Sequence, residues 1–374
     1  MTIYLDCNAT TPMEPDVAKL VMHYMEEEFG NSGSRTHVFG ANAKSAVQKA
    51  RQQVATVVNA QLDEVIFTGG ATESNNLAIL GLVNSLKETG NTHIITTAIE
   101  HKAVLEPCAF LESQGFSVSY LSPDSNGAVT VEAVQNMITE STGLVSIMHV
   151  NNETGVIQPI SEIAELLEGK SIYFHVDAAQ SFGKLLEPLL HSRIDLISVS
   201  AHKVYGPKGV GALITRRRDY KRPPLSPLFY GGGQEKGIRP GTLPVPLIAG
   251  FGLAAELAQK NNKKWWANCE KTKQQVLAVF NGLDPHYHGK NTLPNVINLS
   301  IPGINSEAAI VALKGVAAIS NGSACTSNSY TPSHVLESMG LDEGEIKGAL
   351  RISWCHMTNE VPWKEIINRL QALL

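Results

Sequence analysis

Cysteine is scarce in this 374-residue chain, and no two of its five cysteines are closely spaced. The odd count and the absence of a Cys-x-x-Cys motif argue against a disulfide framework or a zinc cluster. We therefore predict no metal site and expect the reducing conditions of a cytoplasmic location. The five positions are Cys7, Cys108, Cys269, Cys325 and Cys355.

Long apolar runs are also missing. The longest, 245–257, is interrupted by Pro246, Gly250 and Gly252, and it is shorter than the roughly 20 residues that a membrane-spanning helix needs. The first residues show no basic region followed by an apolar stretch, so no signal peptide is expected. We predict no membrane partner.

The charge balance excludes a broad nucleic-acid-binding surface. The formal net charge is -5, and only the stretch 216–218 forms a local basic run. Hydrophobic residues make up 43% of the chain and charged residues 17%, which is typical of a globular protein and not of a disordered one.

Strand and helix patterns alternate along the first two thirds of the chain, which predicts an α/β fold with a mostly parallel sheet sandwiched by helices. A smaller α+β unit follows. We predict a large domain at 15–257 and a small domain formed by 1–14 and 258–374. The predicted strands are 65–68, 93–97, 117–121, 144–150, 172–177, 195–200 and 210–215.

Lys203 lies in a Gly/Pro loop between two of these strands, where ligands of open α/β sheets bind. A partly desolvated lysine there has a lowered pKa and is nucleophilic toward carbonyls, which is the chemistry of a Schiff-base lysine. An ordinary turn with surface lysines is the alternative.

Small residues follow the strand 65–68 and lead into a helix predicted to begin near Asn75. Free backbone N–H groups at such a helix start favour a phosphate, and the Thr72 hydroxyl adds a donor. The pattern is weak evidence alone, since many helices begin this way.

Polar side chains follow several other predicted strands. Each of His101, Asn152, Asp177 and Gln180 has an ordinary structural explanation by itself, such as a helix cap for Asp177. Together with Lys203 they would lie along one edge of one sheet, which favours a functional site.

Three further candidates lie in the last third of the chain. Thr242 closes a Gly-rich loop at 230–242, and Cys325 lies in a small-residue polar loop where a thiol is a better nucleophile than in a core. Arg351 begins a strand-like segment and has the geometry to hold a carboxylate, unless it forms an ordinary surface ion pair.

With these residues assembled, the chain resembles the NifS/IscS-type cysteine desulfurases, pyridoxal-phosphate (PLP) enzymes of the class V aminotransferase family. The resemblance runs almost end to end and implies the fold type I architecture of aspartate aminotransferase. Its most specific motifs are Ala9-Thr10-Thr11-Pro12, Ser200-Ala201-His202-Lys203, Arg239-Pro240-Gly241-Thr242 and Gly322-Ser323-Ala324-Cys325-Thr326-Ser327.

The resemblance implies a role for each candidate. Lys203 would attach PLP, Asp177 would pair with the pyridinium nitrogen, His101 would stack on the ring and move protons, and Gln180 would bind the phenolic oxygen. Asn152 and Arg351 would hold the substrate carboxylate, and Cys325 would accept sulfur. The phosphate would be held by Ala71, Thr72, Ser200 and His202, with Thr242 from the second subunit of a homodimer.

The expected reaction converts L-cysteine to L-alanine and leaves a persulfide on Cys325 for an acceptor or scaffold protein. Iron–sulfur assembly, tRNA thiolation and DNA phosphorothioation stay open as destinations. The alternatives are a selenocysteine lyase, a PLP aminotransferase, and a non-enzymatic docking scaffold. The segment 354–356 departs from the family pattern, and it is expected to bring Cys355 and His356 near the carboxylate site.

Overall fold

A seven-stranded sheet forms the centre of the computed structural model, which describes residues 2–322 and 332–374. The strands of these ranges are β1 (Ile3–Tyr4), β2 (Val65–Thr68), β3 (His93–Thr97), β4 (Ser117–Leu121), β5 (Thr142–Met148), β6 (Tyr173–Asp177), β7 (Leu196–Ser200), β8 (Gly211–Thr215), β9 (His286–Tyr287), β10 (Val296–Ser300), β11 (Ala317–Ala318) and β12 (Leu350–Ser353).

Helices connect most of the strands. The α-helices are α1 (Pro15–Glu26), α2 (Val38–Val57), α3 (Ala71–Leu80), α4 (Val83–Thr89), α5 (Lys102–Ser113), α6 (Val131–Met137), α7 (Ile160–Leu166), α8 (Val245–Phe280), α9 (Ser306–Ala312), α10 (His334–Ser338), α11 (Glu343–Gly348) and α12 (Trp363–Gln371).

The central sheet has the strand order β2-β8-β7-β6-β5-β3-β4, and only β8 runs antiparallel to its neighbours. The prediction of a mostly parallel sheet is therefore confirmed. The strands β2, β3, β5, β6 and β7 share one direction, so their carboxyl ends meet at one edge. The residues that follow those ends are thereby brought together.

Apolar side chains cover both faces of this sheet. On β3, Ile95 packs into the cluster formed with α2, α7 and α8, while Ile94 packs into the opposite cluster with α3 and α5. Successive strand side chains point to opposite faces, and a sheet buried on both faces therefore needs apolar residues at consecutive positions.

The last third of the chain adds a three-stranded antiparallel sheet, β12-β10-β9, and a parallel pair, β1-β11. Strand β1 brings the first residues of the chain against this region, and Cys7 N–H donates to the Ser353 carbonyl at 3.1 Å. These contacts carry the segment 6–11 to the sheet edge described above.

Helix α3 differs from its predicted start, and helix α8 extends past the predicted domain boundary. Helix α3 begins at Ala71 and not near Asn75, because Gly70 at φ +148° makes the turn immediately before it. Helix α8 continues to Phe280 because residues 258–280 contain no proline or glycine. The predicted domain boundary at 257/258 falls inside α8, and the division into two domains stays a prediction.

In the part of the chain that the structure describes, no helix combines the length and apolarity that a membrane crossing requires.

Candidate active site

A cavity of about 780 Å³ opens at the carboxyl edge of the central sheet. Every predicted site residue within the described ranges except Thr242 lines it. The lining residues from the predicted set are Ala71, Thr72, His101, Asn152, Asp177, Gln180, Ser200, His202, Lys203 and Arg351.

One corner of the cavity is the N-terminus of α3. Among the residues that the structure describes, no side chain caps this helix, and its first residues, Ala71 and Thr72, line the cavity. Gly70 precedes them, and its backbone packs against that of Gly211. A Cβ atom at position 211 would lie 2.7 Å from the Gly70 Cα and would clash with it, so this close approach of the two backbones requires glycine. Uncapped N–H groups and the helix dipole make this corner suited to a phosphate group.

Asp177 ends β6 inside the cavity and is 5% exposed. Its carboxylate accepts hydrogen bonds from Asn75 Nδ2 at 2.7 Å and from the Ala179 N–H at 2.9 Å. These two donors fix the orientation of the carboxylate. A buried carboxylate held in this way suits a ligand N–H that carries positive charge.

Lys203 follows β7 and reaches across the cavity to the first residues of the chain. Its Nζ donates to the carbonyl oxygens of Asn8 at 2.5 Å and Ala9 at 2.9 Å. The N–H of Thr11 donates to the His202 carbonyl at 2.9 Å, and the N–H of Tyr205 donates to Thr11 Oγ1 at 2.9 Å. The segment 8–11 therefore sets the position of the lysine.

Two histidines flank the lysine, and burial lowers the pKa of both. His101 Nδ1 accepts the Ala103 N–H at 3.0 Å, so the neutral ring carries its hydrogen on Nε2. Burial and the neighbouring Lys203 and Lys208 lower the pKa of His202 to about 4. Both rings are neutral near pH 7.

Arg351 enters the cavity from β12. Its Nη2 donates to Asp6 Oδ1 at 2.7 Å and its Nη1 to the Asn152 carbonyl at 3.1 Å. Gln180 Nε2 donates to the Asn8 carbonyl at 2.9 Å, while Gln180 Oε1 is buried with no hydrogen-bond partner among the described residues. Arg351 offers a cationic fork for a carboxylate, and Gln180 offers an open acceptor.

Four predicted residues are not brought into this cavity or cannot be placed. Thr242 is exposed and lies outside the cavity lining, and Cys325 lies outside the described residues. The expectation that Cys355 and His356 approach the carboxylate site is wrong, because they line a separate cavity of about 430 Å³. The His356 ring instead stacks on the Trp265 ring, with 3.7 Å between the ring centres, and its Nε2 forms a hydrogen bond with Glu14 Oε1 at 2.6 Å.

Sequence reasoning missed Asn8 and Asn75. Both line the cavity, and both act on a predicted residue, Asn8 on Lys203 and Asn75 on Asp177. Asn8 lies next to the Ala9-Thr10-Thr11-Pro12 motif, which is a usable signal. Asn75 lies inside the first turns of α3, where its type and position carry no signal of their own.

The residues present fit PLP. The α3 corner suits its phosphate, Asp177 suits its ring nitrogen, the open Gln180 Oε1 suits a hydroxyl, and Lys203 supplies the amine. These groups surround one cavity.

The sequence matches the family Aminotransferase class-V over residues 3–361, and the chain belongs to that family. It is 46% identical to the cysteine desulfurase IscS of Buchnera aphidicola subsp. Baizongia pistaciae, covering 99% of this chain and 94% of the relative. It is also 46% identical to the mitochondrial cysteine desulfurase of Drosophila melanogaster, covering 93% and 76%. Within the family, the chain is a NifS/IscS-type cysteine desulfurase.

Solved structures agree with this assignment. DndA from Streptomyces lividans superposes with a TM-score of 0.82 at 46% identity, over 93% of this chain and 98% of that one. A NifS-like protein superposes with a TM-score of 0.90 at 35% identity, over 100% and 98%. SspA, solved in complex with cysteine, has a TM-score of 0.82 at 39% identity, over 94% and 98%.

Proposed function

We propose that this chain binds PLP through Lys203 and releases sulfur from L-cysteine, with Cys325 as the sulfur acceptor and L-alanine as the second product. The observation that carries the proposal is the meeting of Lys203, Asp177 and Arg351 around one cavity. A single cavity thus offers an amine for attachment, a carboxylate for a cationic ring nitrogen and a cation for the substrate carboxylate.

Bound PLP would supply an electron sink for the negative charge that develops at the substrate α-carbon. Ala71, Thr72, Ser200 and His202 bind its phosphate, and Asp177 and Gln180 orient its ring. His101 caps α5 beside Asp177. It would stack on the PLP ring and move protons there, and its neutral imidazole carries on Nε2 a hydrogen that it can donate to a bound group.

Arg351 and Asn152 hold the carboxylate of cysteine and thereby orient its α-C–H bond toward Lys203. The Lys203 amine, released from the Asn8 and Ala9 carbonyls, removes the α-proton. The Cys325 thiolate attacks the substrate sulfur, the C–S bond breaks, and its electron pair stays with the substrate. Protonation of the substrate gives alanine, and Cys325 carries the persulfide.

We also infer a homodimer. Thr242 is exposed at the end of the Gly-rich loop 230–242, where it is available to the phosphate site of a second copy. A mixed dimer of a Thr242→Ala chain and a Lys203→Ala chain should regain activity at one intact site. If the two variants stay inactive after mixing, the proposal that each active site contains residues of both subunits would be contradicted.

The protein that next receives the sulfur from Cys325 is proposed to serve iron–sulfur clusters or thiolated or phosphorothioated nucleic acid. We propose a cytoplasmic location, and the four described cysteines are free, as expected in a reducing compartment. Co-purification with a tagged holoenzyme identifies the acceptor. Direct, strong nucleic-acid binding is not expected at a net charge of -5.

The deciding experiment compares Cys325→Ser with Cys108→Ser in the PLP-loaded protein. Cys108 is fully buried in the opposite apolar cluster and serves as the matched control. We expect Cys325→Ser to bind cysteine, seen as a change in cofactor absorbance, but to form no alanine. Cys108→Ser should form alanine at the wild-type rate.

Continued alanine formation by Cys325→Ser would overturn the role of Cys325. Two alternatives have their own readouts. A PLP aminotransferase would exchange keto acids without releasing sulfur, and a selenocysteine lyase would use selenocysteine far better than cysteine.

A further inference from the structure

A carboxylate lies in the active-site cavity beside the phosphate corner, by which we mean the part of the cavity formed by Gly70, Ala71 and Thr72. Glu73 is the third residue of α3, and it lines the cavity together with these three residues. Its negative charge repels a phosphate, and its oxygens compete with a phosphate for the backbone N–H groups at the helix start. Phosphate binding at this corner therefore requires a group that compensates Glu73.

Arg239 is the compensating group. Its Nε donates to Glu73 Oε1 at 2.8 Å and its Nη2 donates to Glu73 Oε2 at 3.3 Å, which makes the ion pair bidentate. The two side chains are 21% and 22% exposed, so the pair is mostly shielded from water. The Arg239 guanidinium also lies over the Phe229 ring, with 5.6 Å between Cζ and the ring centre. Arg239 does not line the cavity, so its contact is with Glu73 and not with a bound group.

The turn before α3 holds the same carboxylate from a second side. Glu73 Oε2 accepts the Gly69 N–H at 2.7 Å, ahead of the first helical residue. Arg239 and Gly69 together fix the carboxylate, and the N–H groups of Ala71 and Thr72 stay available to a phosphate. Without Arg239, the Gly69 N–H would be the remaining hydrogen-bond donor to the carboxylate among the described residues. Glu73 would then bring an uncompensated charge to the cavity lining.

We propose that Arg239 is a positioning residue of the phosphate corner, where it neutralises Glu73 and holds its carboxylate away from the N–H groups that bind phosphate. Arg239 begins the Arg239-Pro240-Gly241-Thr242 motif, so one loop supplies this cation as well as Thr242. The inference rests on the proposed function, because the phosphate concerned is that of PLP. It does not depend on the role of Cys325.

The test is an absorbance titration with PLP of the full chain, after removal of bound PLP and at low ionic strength. Arg239→Gln should bind PLP about fivefold more weakly, which is the typical effect of one charge partner at a partly exposed site. Glu73→Gln should bind PLP at least as tightly as the wild type, because it removes the opposing charge. The double variant should regain the wild-type affinity to within about twofold, since the two residues act as a pair. Arg369→Gln, which loses its ion pair with Glu365 on α12, is the matched control and should bind like the wild type.

Pyridoxal, which lacks the phosphate, separates this electrostatic role from a purely structural one. Its affinity should be the same in Arg239→Gln and in the wild type, because it brings no negative charge to the phosphate corner. Added salt should reduce the difference in PLP affinity between these two proteins, since it screens the charge of Glu73. If Arg239 served only to keep its loop folded, Arg239→Gln would weaken the binding of both compounds, and the double variant would stay weak.

Three results would overturn the role of Arg239: an unchanged PLP affinity in Arg239→Gln, an equal loss of affinity for pyridoxal, or a double variant as weak as Arg239→Gln. A wild-type protein that binds no PLP would refute the proposed function instead. The phosphate corner is then probed with inorganic phosphate, whose phosphorus NMR line should broaden less with Arg239→Gln than with the wild type or the double variant. Equal broadening with all three proteins would refute the role of Arg239.

Discussion

Asn75 holds the carboxylate of Asp177 across 102 residues of sequence, with 2.7 Å between Nδ2 and Oδ2. Both side chains are buried, Asn75 at 0% exposure and Asp177 at 5%. The second donor to Asp177 is the backbone N–H of Ala179, which no side-chain substitution removes. Asn75 is therefore the side chain through which the orientation of Asp177 can be altered without removing its charge.

Replacing Asn75 with Ala should weaken PLP binding and slow alanine formation. A hydrogen bond to a charged group contributes about 1.5–3 kcal/mol, which corresponds to roughly tenfold to a hundredfold. Absorbance titration with PLP measures the first effect and product assay the second. Asn84→Ala, at an exposed amide on α4 that bonds Ser226, is the matched control. Wild-type affinity and rate in the Asn75 variant would show that Asp177 needs no such support.

Asp6→Asn should lower the KM for cysteine. The Asp6 carboxylate forms an ion pair with the Arg351 guanidinium, with 2.7 Å between Oδ1 and Nη2. A substrate carboxylate therefore has to compete with Asp6 for Arg351. Removing a partly exposed charge partner changes binding by about 1 kcal/mol, so we expect a roughly fivefold lower KM with kcat little changed. Arg351→Lys, which loses the bidentate fork, should raise KM. A higher KM in Asp6→Asn would instead mean that Asp6 positions Arg351.

Glu100 makes the stability of the protein depend on pH. Burial raises the pKa of Glu100 to about 8, and the nearby Asp177 adds to the rise, whereas the ordinary value is 4.5. Between these values the folded state keeps a proton that the unfolded state has released. The free energy of unfolding therefore falls as the pH rises through this window.

Glu100→Gln should remove that dependence, because the amide resembles the protonated acid. Urea denaturation at pH 5 and pH 8 measures it, and the loss of stability between these two pH values should be smaller in the variant than in the wild type. Glu106→Gln, an exposed glutamate on α5, should leave the wild-type dependence unchanged. Equal pH dependence in Glu100→Gln and wild type would mean that Glu100 is ionised in the folded state.

The sequence was sufficient to predict the sheet and the residues at its edge, because apolar runs mark buried strands and polar residues follow them directly. Lys203 and Asp177 could be singled out in this way. The contacts that orient them could not, since Asn8 lies 195 residues from Lys203 and no local pattern connects the two. The extension of α8 is different, because residues 258–280 contain no proline or glycine and the sequence itself favours a continuing helix.

Glu235→Gln should destabilise the fold strongly. Glu235 anchors the loop that carries Thr242, and its carboxylate accepts both Arg51 guanidinium nitrogens at 2.6 and 2.9 Å and the Phe67 N–H at 2.8 Å. Its side chain is 2% exposed and that of Arg51 11%, so the variant leaves a nearly buried guanidinium without its counter-charge.

Removing one partner of a buried ion pair typically costs about 3–5 kcal/mol. We expect the free energy of unfolding of Glu235→Gln, measured by urea denaturation, to fall by that amount. Asp16→Asn is the matched control, because Asp16 pairs with Lys19 at 3.1 Å but both side chains are over two thirds exposed. That variant should change stability by less than about 1 kcal/mol, since exposed pairs contribute little. Equal losses of unfolding free energy in the two variants would mean that water solvates the Arg51 guanidinium once Glu235 is replaced. The loop that carries Thr242 would then not depend on the Arg51–Glu235 pair.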